Sequence, residues 1–78
     1  MRNDIKQVLI KELSQKYGGN IETNGNIIIV KGAIKPNAPL IPEEVDRIIN
    51  NVGTISNITT GQLVYTIDKN NLVLEYNP

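Results

Sequence analysis

The chain contains no cysteine, no histidine, no phenylalanine and no tryptophan. Each absence removes a class of explanation. Without cysteine there is neither a disulfide nor a thiolate metal site. Without histidine the commonest metal ligand and the commonest general base are both missing. With both gone, a nucleophile–base pair of the usual form cannot be assembled. Without Phe or Trp the core has to be aliphatic, since Tyr17, Tyr65 and Tyr76 are the only aromatics. No apolar stretch approaches the roughly 20 residues that span a bilayer, so membrane insertion is not expected. The N-terminus leads straight into an amphipathic run, with no continuous apolar h-region and no cleavage signature. The cytoplasm is therefore the expected compartment. Asn57-Ile58-Thr59 spells a glycosylation sequon, which in that context is a chance match.

What is present amounts to 78 residues with a formal net charge of zero. That length predicts a single domain over 1–78, near the small end for independent folding. Packing or a partner has to supply the stability, and isoleucine dominates the candidate core. Burying one such side chain contributes roughly 1.5–3 kcal/mol. The neutral total hides an asymmetry. Arg2, Lys6, Lys11, Lys16, Lys31 and Lys35 outnumber acids in the first half, while Glu43, Glu44, Asp46, Asp68 and Glu75 outnumber bases in the second. A molecule with one basic and one acidic end can associate head to tail, through the Lys31/Lys35 and Glu43/Glu44 regions.

A layout recurs along the chain: a helical stretch that meets glycine, then strands joined at short polar turns. Ile5, Leu9, Leu13 and Tyr17 repeat at helical spacing, with Asn3 or Asp4 as the expected cap and Gly18-Gly19 as the stop. The same glycines follow a helix instead of preceding one, so they lack the amide-rich start that phosphate sites use. Asn24-Gly25 predicts a type I′ hairpin in which Thr23 faces Asn26 and Ile21 faces Ile28. Ile21, Ile28 and Val30 then share one face, and Ile27 and Ile29 share the other with Glu22. Strand two is thus apolar on both faces, although an antiparallel sheet in a small domain usually wets one, so a cover over Ile27 and Ile29 is expected from another copy of the chain, a partner or the second helix.

Lys35 to Pro39 reads as an extended connection. Pro42 begins the second helix, with Leu40 and Val45 at hydrophobic-staple spacing. Val45, Ile48, Ile49 and Val52 form its apolar stripe. Glu43 and Arg47 stand four residues apart on the wet side, and Gly53 is the expected end. Residues 54–60 fit either a short strand or a packed loop. Beyond Gly61, Leu63, Tyr65 and Ile67 alternate with Val64, Thr66 and Asp68, and Asp68 to Asn71 turns the chain. Leu72, Leu74 and Tyr76 return opposite Ile67, Tyr65 and Leu63. The expected fold is α+β, a two-layer sandwich of order α-β-β-α-(β)-β-β, with two helices on one face of a mainly antiparallel sheet.

The stretch Ile29-Val30-Lys31-Gly32-Ala33-Ile34, the second helix, and Asn51-Val52-Gly53-Thr54-Ile55 resemble the middle of a BON-type domain. Related ring-building modules of secretion and sporulation machines share the order helix, hairpin, helix, strand. Gly32 and Gly53 stand at the matching positions, and the likeness covers roughly residues 5 to 67. The Pro-rich connection and the final strand, Leu72 to Tyr76, depart from it. The resemblance implies a non-enzymatic module that binds partners or copies of itself.

These readings converge on a small protein-interaction domain, self-associating in its simplest form, with no catalytic residue, no metal site, no cofactor and no small-molecule substrate. The expected contact residues are Ile27 and Ile29, with Lys31, Lys35, Glu43 and Glu44 as an independent charged mode. Two other classes fit the same composition. One is an inhibitor or accessory protein of a virus or mobile element that works by surface occlusion. The other is a nucleic-acid-binding module, which is less favoured because the basic residues are not interleaved with exposed aromatics and no Gly-x-x-Gly loop joins two helices.

Overall fold

Two helices lie across one face of a four-stranded antiparallel sheet whose strand order is β1-β2-β4-β3. The computed structural model describes residues 1–78, apart from the side chain of Thr60. Its elements are α1 (Asn3–Tyr17), β1 (Ile21–Asn24), β2 (Ile27–Val30), α2 (Pro42–Ser56), β3 (Leu63–Asp68) and β4 (Asn71–Tyr76), with a 3-10 turn (Thr60–Gln62) leading into β3. The α+β sandwich and the helix placement agree with the sequence reading. The optional strand over 54–60 does not form, because that segment completes α2 and enters the 3-10 turn.

In α1, Ile5, Leu9 and Leu13 are fully buried and Tyr17 packs at their edge. Neither Asn3 nor Asp4 is the cap; Arg2 occupies that place at φ −57° and ψ 139°, with no side-chain cap hydrogen bond. The reason is an ion pair. The Arg2 guanidinium donates to both Asp4 carboxylate oxygens, at 3.1 and 2.6 Å, and so occupies the Asp4 carboxylate in the first turn of α1. The same guanidinium donates to the Ser56 carbonyl at 3.0 Å and so ties the start of α1 to the end of α2. Gly18 closes α1 at φ 99°, its N–H donating to the Ser14 carbonyl, a conformation open to glycine at little cost.

The first hairpin turns one residue later than expected. Ile21 faces Val30 and Asn24 faces Ile27, so the loop is Gly25-Asn26. Gly25 alone has positive φ, the pattern of a type II′ turn, which asks for glycine only at its first central position. This slip of two residues leaves every side chain on its expected face. The connection after β2 is also tighter than an extended run, since Lys35 and Ala38 exchange backbone hydrogen bonds at 3.3 and 3.1 Å.

α2 starts at Pro42, and Leu40 and Val45 both pack on the core as the staple requires. The helix does not stop at Gly53. Its buried stripe of Val45, Ile48, Ile49 and Val52 continues to Ser56, and Asn57 takes the left-handed closing conformation. Gly53 serves a different purpose: a Cβ there would lie 3.3 Å from the Ile58 carbonyl oxygen, so glycine lets the chain fold back over the last turn. The second hairpin has the expected register, with Leu63 opposite Tyr76, Tyr65 opposite Leu74 and Ile67 opposite Leu72.

The core lies between the layers. Ile28 and Val30 of β2 and Leu72 and Leu74 of β4, the two central strands, meet Ile5, Leu9, Leu13, Val45 and Val52 from the helices, all at 1% exposure or less. Polar contacts join the helices outside this core. Asn51 donates to the Glu12 carboxylate at 2.6 Å, and Lys16 lies 2.6 Å from Glu44. The expected Glu43–Arg47 pair is not among the described ion pairs; Glu44 finds its cation on the neighbouring helix instead. Among the described residues, no helix is long and apolar enough to cross a membrane.

Candidate interaction surface

Because β-strand side chains alternate between faces, the residues that do not point at the helices form a second surface. Cross-strand pairing arranges them in two rows. One runs Glu22, Ile29, Val73, Thr66, and the other runs Asn24, Ile27, Glu75, Val64. Ile27 and Ile29 are half-buried, and neither is among the hydrophobics packed on the core between the sheet and the helices. Val73 is half-buried beside them, and Val64 remains 41% exposed. The result is an aliphatic strip on the open face of the sheet. Glu22, Glu75 and Asp68 border it, and of these only Glu22 has a cationic partner among the described residues, Lys31 at 3.0 Å.

The six expected contact residues separate into two groups. Ile27, Ile29 and Lys31 share the open face, with Lys31 neutralised by Glu22. Lys35, Glu43 and Glu44 lie elsewhere, around the connection into α2. There, Lys16, Tyr17, Lys35, Leu40 and Glu44 line a groove of about 530 Å³. Glu44 is paired with Lys16, while Glu43 projects from the exposed first turn. The charged residues therefore do not extend the Ile27/Ile29 surface. Among the described residues, no three carboxylates are grouped to hold a metal ion.

Val64, Thr66 and Val73 complete the strip and were not singled out from sequence. Their alternation with core residues was visible. Their adjacency to Ile27 and Ile29 was not, because it depends on β4 inserting beside β2, which is a long-range pairing.

Three ionisable groups depart from their ordinary behaviour. The hydrogen bond from Arg2, above all, holds the Asp4 carboxyl below the usual aspartate value. The same contact raises Arg2. Burial first, then the nearby charges of Glu44 and Tyr65, pushes the Tyr17 phenol up. Among the described residues its buried hydroxyl has no hydrogen-bond partner, and neither has the Ser56 hydroxyl. None of the three borders the open face.

No protein-family model, no curated protein and no solved structure matches the chain. The strand outside the BON-type resemblance, β4, sits between β2 and β3 and connects the two halves of the sheet.

Proposed function

We propose that this protein is a non-enzymatic interaction domain that works by contact through the open face of its sheet. The observation carrying this reading is the uncovered strip Ile27, Ile29, Val73 and Val64. A small domain gains from burying aliphatic side chains, and these four are placed where only another molecule can finish the burial. The rim favours a protein partner with an apolar strip of its own flanked by basic residues, because Glu75 and Asp68 are unneutralised. The same rim disfavours nucleic acid, whose phosphates carry the wrong sign. The resemblance to BON-type and ring-building modules supports the same class of role.

The test is capture by photo-crosslinking from a probe at Val64, comparing the wild-type chain with the double substitution Ile27→Lys/Ile29→Lys. The proposal expects protein adducts that disappear in the double variant and weaken as salt is raised. Adducts unchanged by the double variant would show that the open face is not the contact surface.

A further inference from the structure

The sheet has two edges, and they differ in how they are protected. β1 is four residues long, with Glu22 at its centre. Its outward backbone groups belong to Ile21 and Thr23, because the ladder to β2 begins with Lys31 N–H donating to the Asn20 carbonyl, and alternate residues point away. One of those groups is already used: the Ile21 N–H donates to the Gly19 carbonyl at 3.0 Å. Natural edge strands are blunted by shortness and charge, and β1 has both.

β3 has neither. It is six residues long, and from Leu63 through Ile67 it contains no charge and no proline. At the head of its ladder, Asn77 N–H donates to the Gln62 carbonyl at 2.6 Å. Val64, Thr66 and Asp68 therefore turn their backbone groups toward β4, and those of Leu63, Tyr65 and Ile67 point outward. Leu63 is 2% exposed, so its backbone is already covered. Tyr65 is half-buried, with its side chain packed on the core, and Ile67 is 53% exposed; neither outward N–H has a described backbone partner.

We propose that the β3 edge pairs antiparallel with β3 of a second copy, about a two-fold axis at Thr66. This register follows from which groups are free. It sets Tyr65 opposite Ile67 of the second copy, and Ile67 opposite Tyr65, so that each pair exchanges both backbone hydrogen bonds. A register centred on Tyr65 would instead require the covered Leu63. The side chains agree. Tyr65 with Ile67 is an aromatic–β-branched pair, and Thr66 meets its own copy, both favourable across antiparallel strands. Asp68 falls opposite Val64, so no like charges face each other. Ile67 of the second copy then lies by the mouth of the groove of about 600 Å³ between α2 and β3, lined by Asp46, Ile49, Asn50, Leu63 and Tyr65. The equivalent two-fold at β1 would place Glu22 directly against Glu22, which is destabilising.

The pairing rests on the reading of the chain as a contact protein, and it also enlarges the contact surface. One open face covers roughly 300 Å² from strand spacing and rise, short of the roughly 800 Å² that each side of a standard interface contributes. Two edge-paired sheets present a continuous face of roughly 600 Å².

The experiment is light scattering coupled to size exclusion, from low micromolar to millimolar concentration, on the wild-type chain, Thr66→Glu, Thr66→Lys, their equimolar mixture, and Ile27→Lys/Ile29→Lys. Thr66 is exposed, so its variants keep the fold. The wild-type chain is expected to approach twice its mass of 8.6 kDa. Each single Thr66 variant should dissociate about tenfold more readily or worse, through like charges at the axis. Mixing the two should restore the dimer, and the Ile27/Ile29 variant should dimerise like wild type. A wild-type monomer at millimolar concentration would overturn the pairing and leave the open-face reading to its own crosslinking test. A dimer that survives Thr66→Glu but is lost in the Ile27/Ile29 variant would overturn edge pairing in favour of stacked sheet faces.

Discussion

Leu63 and Ile67 point to the same side of β3, four residues apart, yet Leu63 is 2% exposed and Ile67 is 53% exposed. α2 and the 3-10 turn cover the start of the strand and leave its far end bare. The two positions should respond unequally to substitution. Leu63→Ala is expected to cost about 2–5 kcal/mol, the range for a buried leucine. Ile67→Thr, measured in the low micromolar range, should stay within about 0.5 kcal/mol of wild type. Urea unfolding of both variants checks this. A domain of this size has roughly 4–12 kcal/mol in total, so the first variant should be close to unfolding and the second should not.

Ser56 closes the buried stripe of α2 at 3% exposure, and its hydroxyl has no partner among the described residues. A buried unpaired polar atom costs about 1–3 kcal/mol. Ser56→Ala removes it, keeps the backbone carbonyl that Arg2 uses, and adds a better helix former. The expected gain is about 1 kcal/mol, or a Tm about 4–8 °C higher for a domain of this length. Thermal unfolding followed by circular dichroism measures it.

Asp4 gives the acid limb of stability a specific source. Its folded pKa lies below the ordinary value of 3.8, chiefly through the hydrogen bond from Arg2. The unfolded chain therefore takes up this proton first as pH falls. Stability from this pair is fully present above the ordinary value and is lost as pH drops through the lower folded one. Both groups are exposed, so the effect is small and falls with added salt. Asp4→Asn should flatten the acid limb between pH 5 and 2 relative to wild type, measured by urea unfolding across that range.

Tyr17 acts at the other end of the scale. Its folded pKa is raised above 10.0, by burial first and then by Glu44 and Tyr65. The folded chain holds this proton more tightly, so stability declines as pH rises from about 10 toward the folded value. Tyr17→Phe should remove that decline, and it should not reduce stability at neutral pH, because the lost hydroxyl has no hydrogen bond. Urea unfolding of both chains at neutral and at alkaline pH measures it.

A cysteine at the axis reads the register of the proposed pairing. The chain has no native cysteine, so one introduced thiol reports unambiguously. Thr66 facing its copy is a non-hydrogen-bonded pair, with Cα atoms about 4.5 Å apart, within disulfide range. Thr66→Cys should oxidise to a covalent dimer, seen on a non-reducing gel, while Thr23→Cys on β1 should remain monomeric.

The parts of the fold legible in the sequence were those set by local alternation. Leu63 to Tyr76 announced its register because each apolar residue had one partner across a short polar turn. The β1–β2 turn slipped by one position at each arm because Asn24-Gly25 and Gly25-Asn26 are nearly equivalent turn signals, and only full pairing of Ile27–Val30 with β1 decides between them. The end of α2 was misplaced because Gly53 resembles a stop, whereas its lack of a side chain is needed for the approach of Ile58. The double-sided character of Ile27–Val30 did point to the open face. The rest of that surface stayed hidden because strand order is a long-range property, and the exposed end at Ile67 depends on how far α2 reaches.

Hydrogen exchange of individual amides along the two edges tests the central claim most directly. The N–H groups of Tyr65 and Ile67 point away from β4, and that of Thr23 points away from β2. As protein concentration rises from low micromolar to millimolar, Tyr65 and Ile67 should become about tenfold or more slower to exchange, with Thr23 unchanged. Equal, concentration-independent exchange at all three positions would contradict the account.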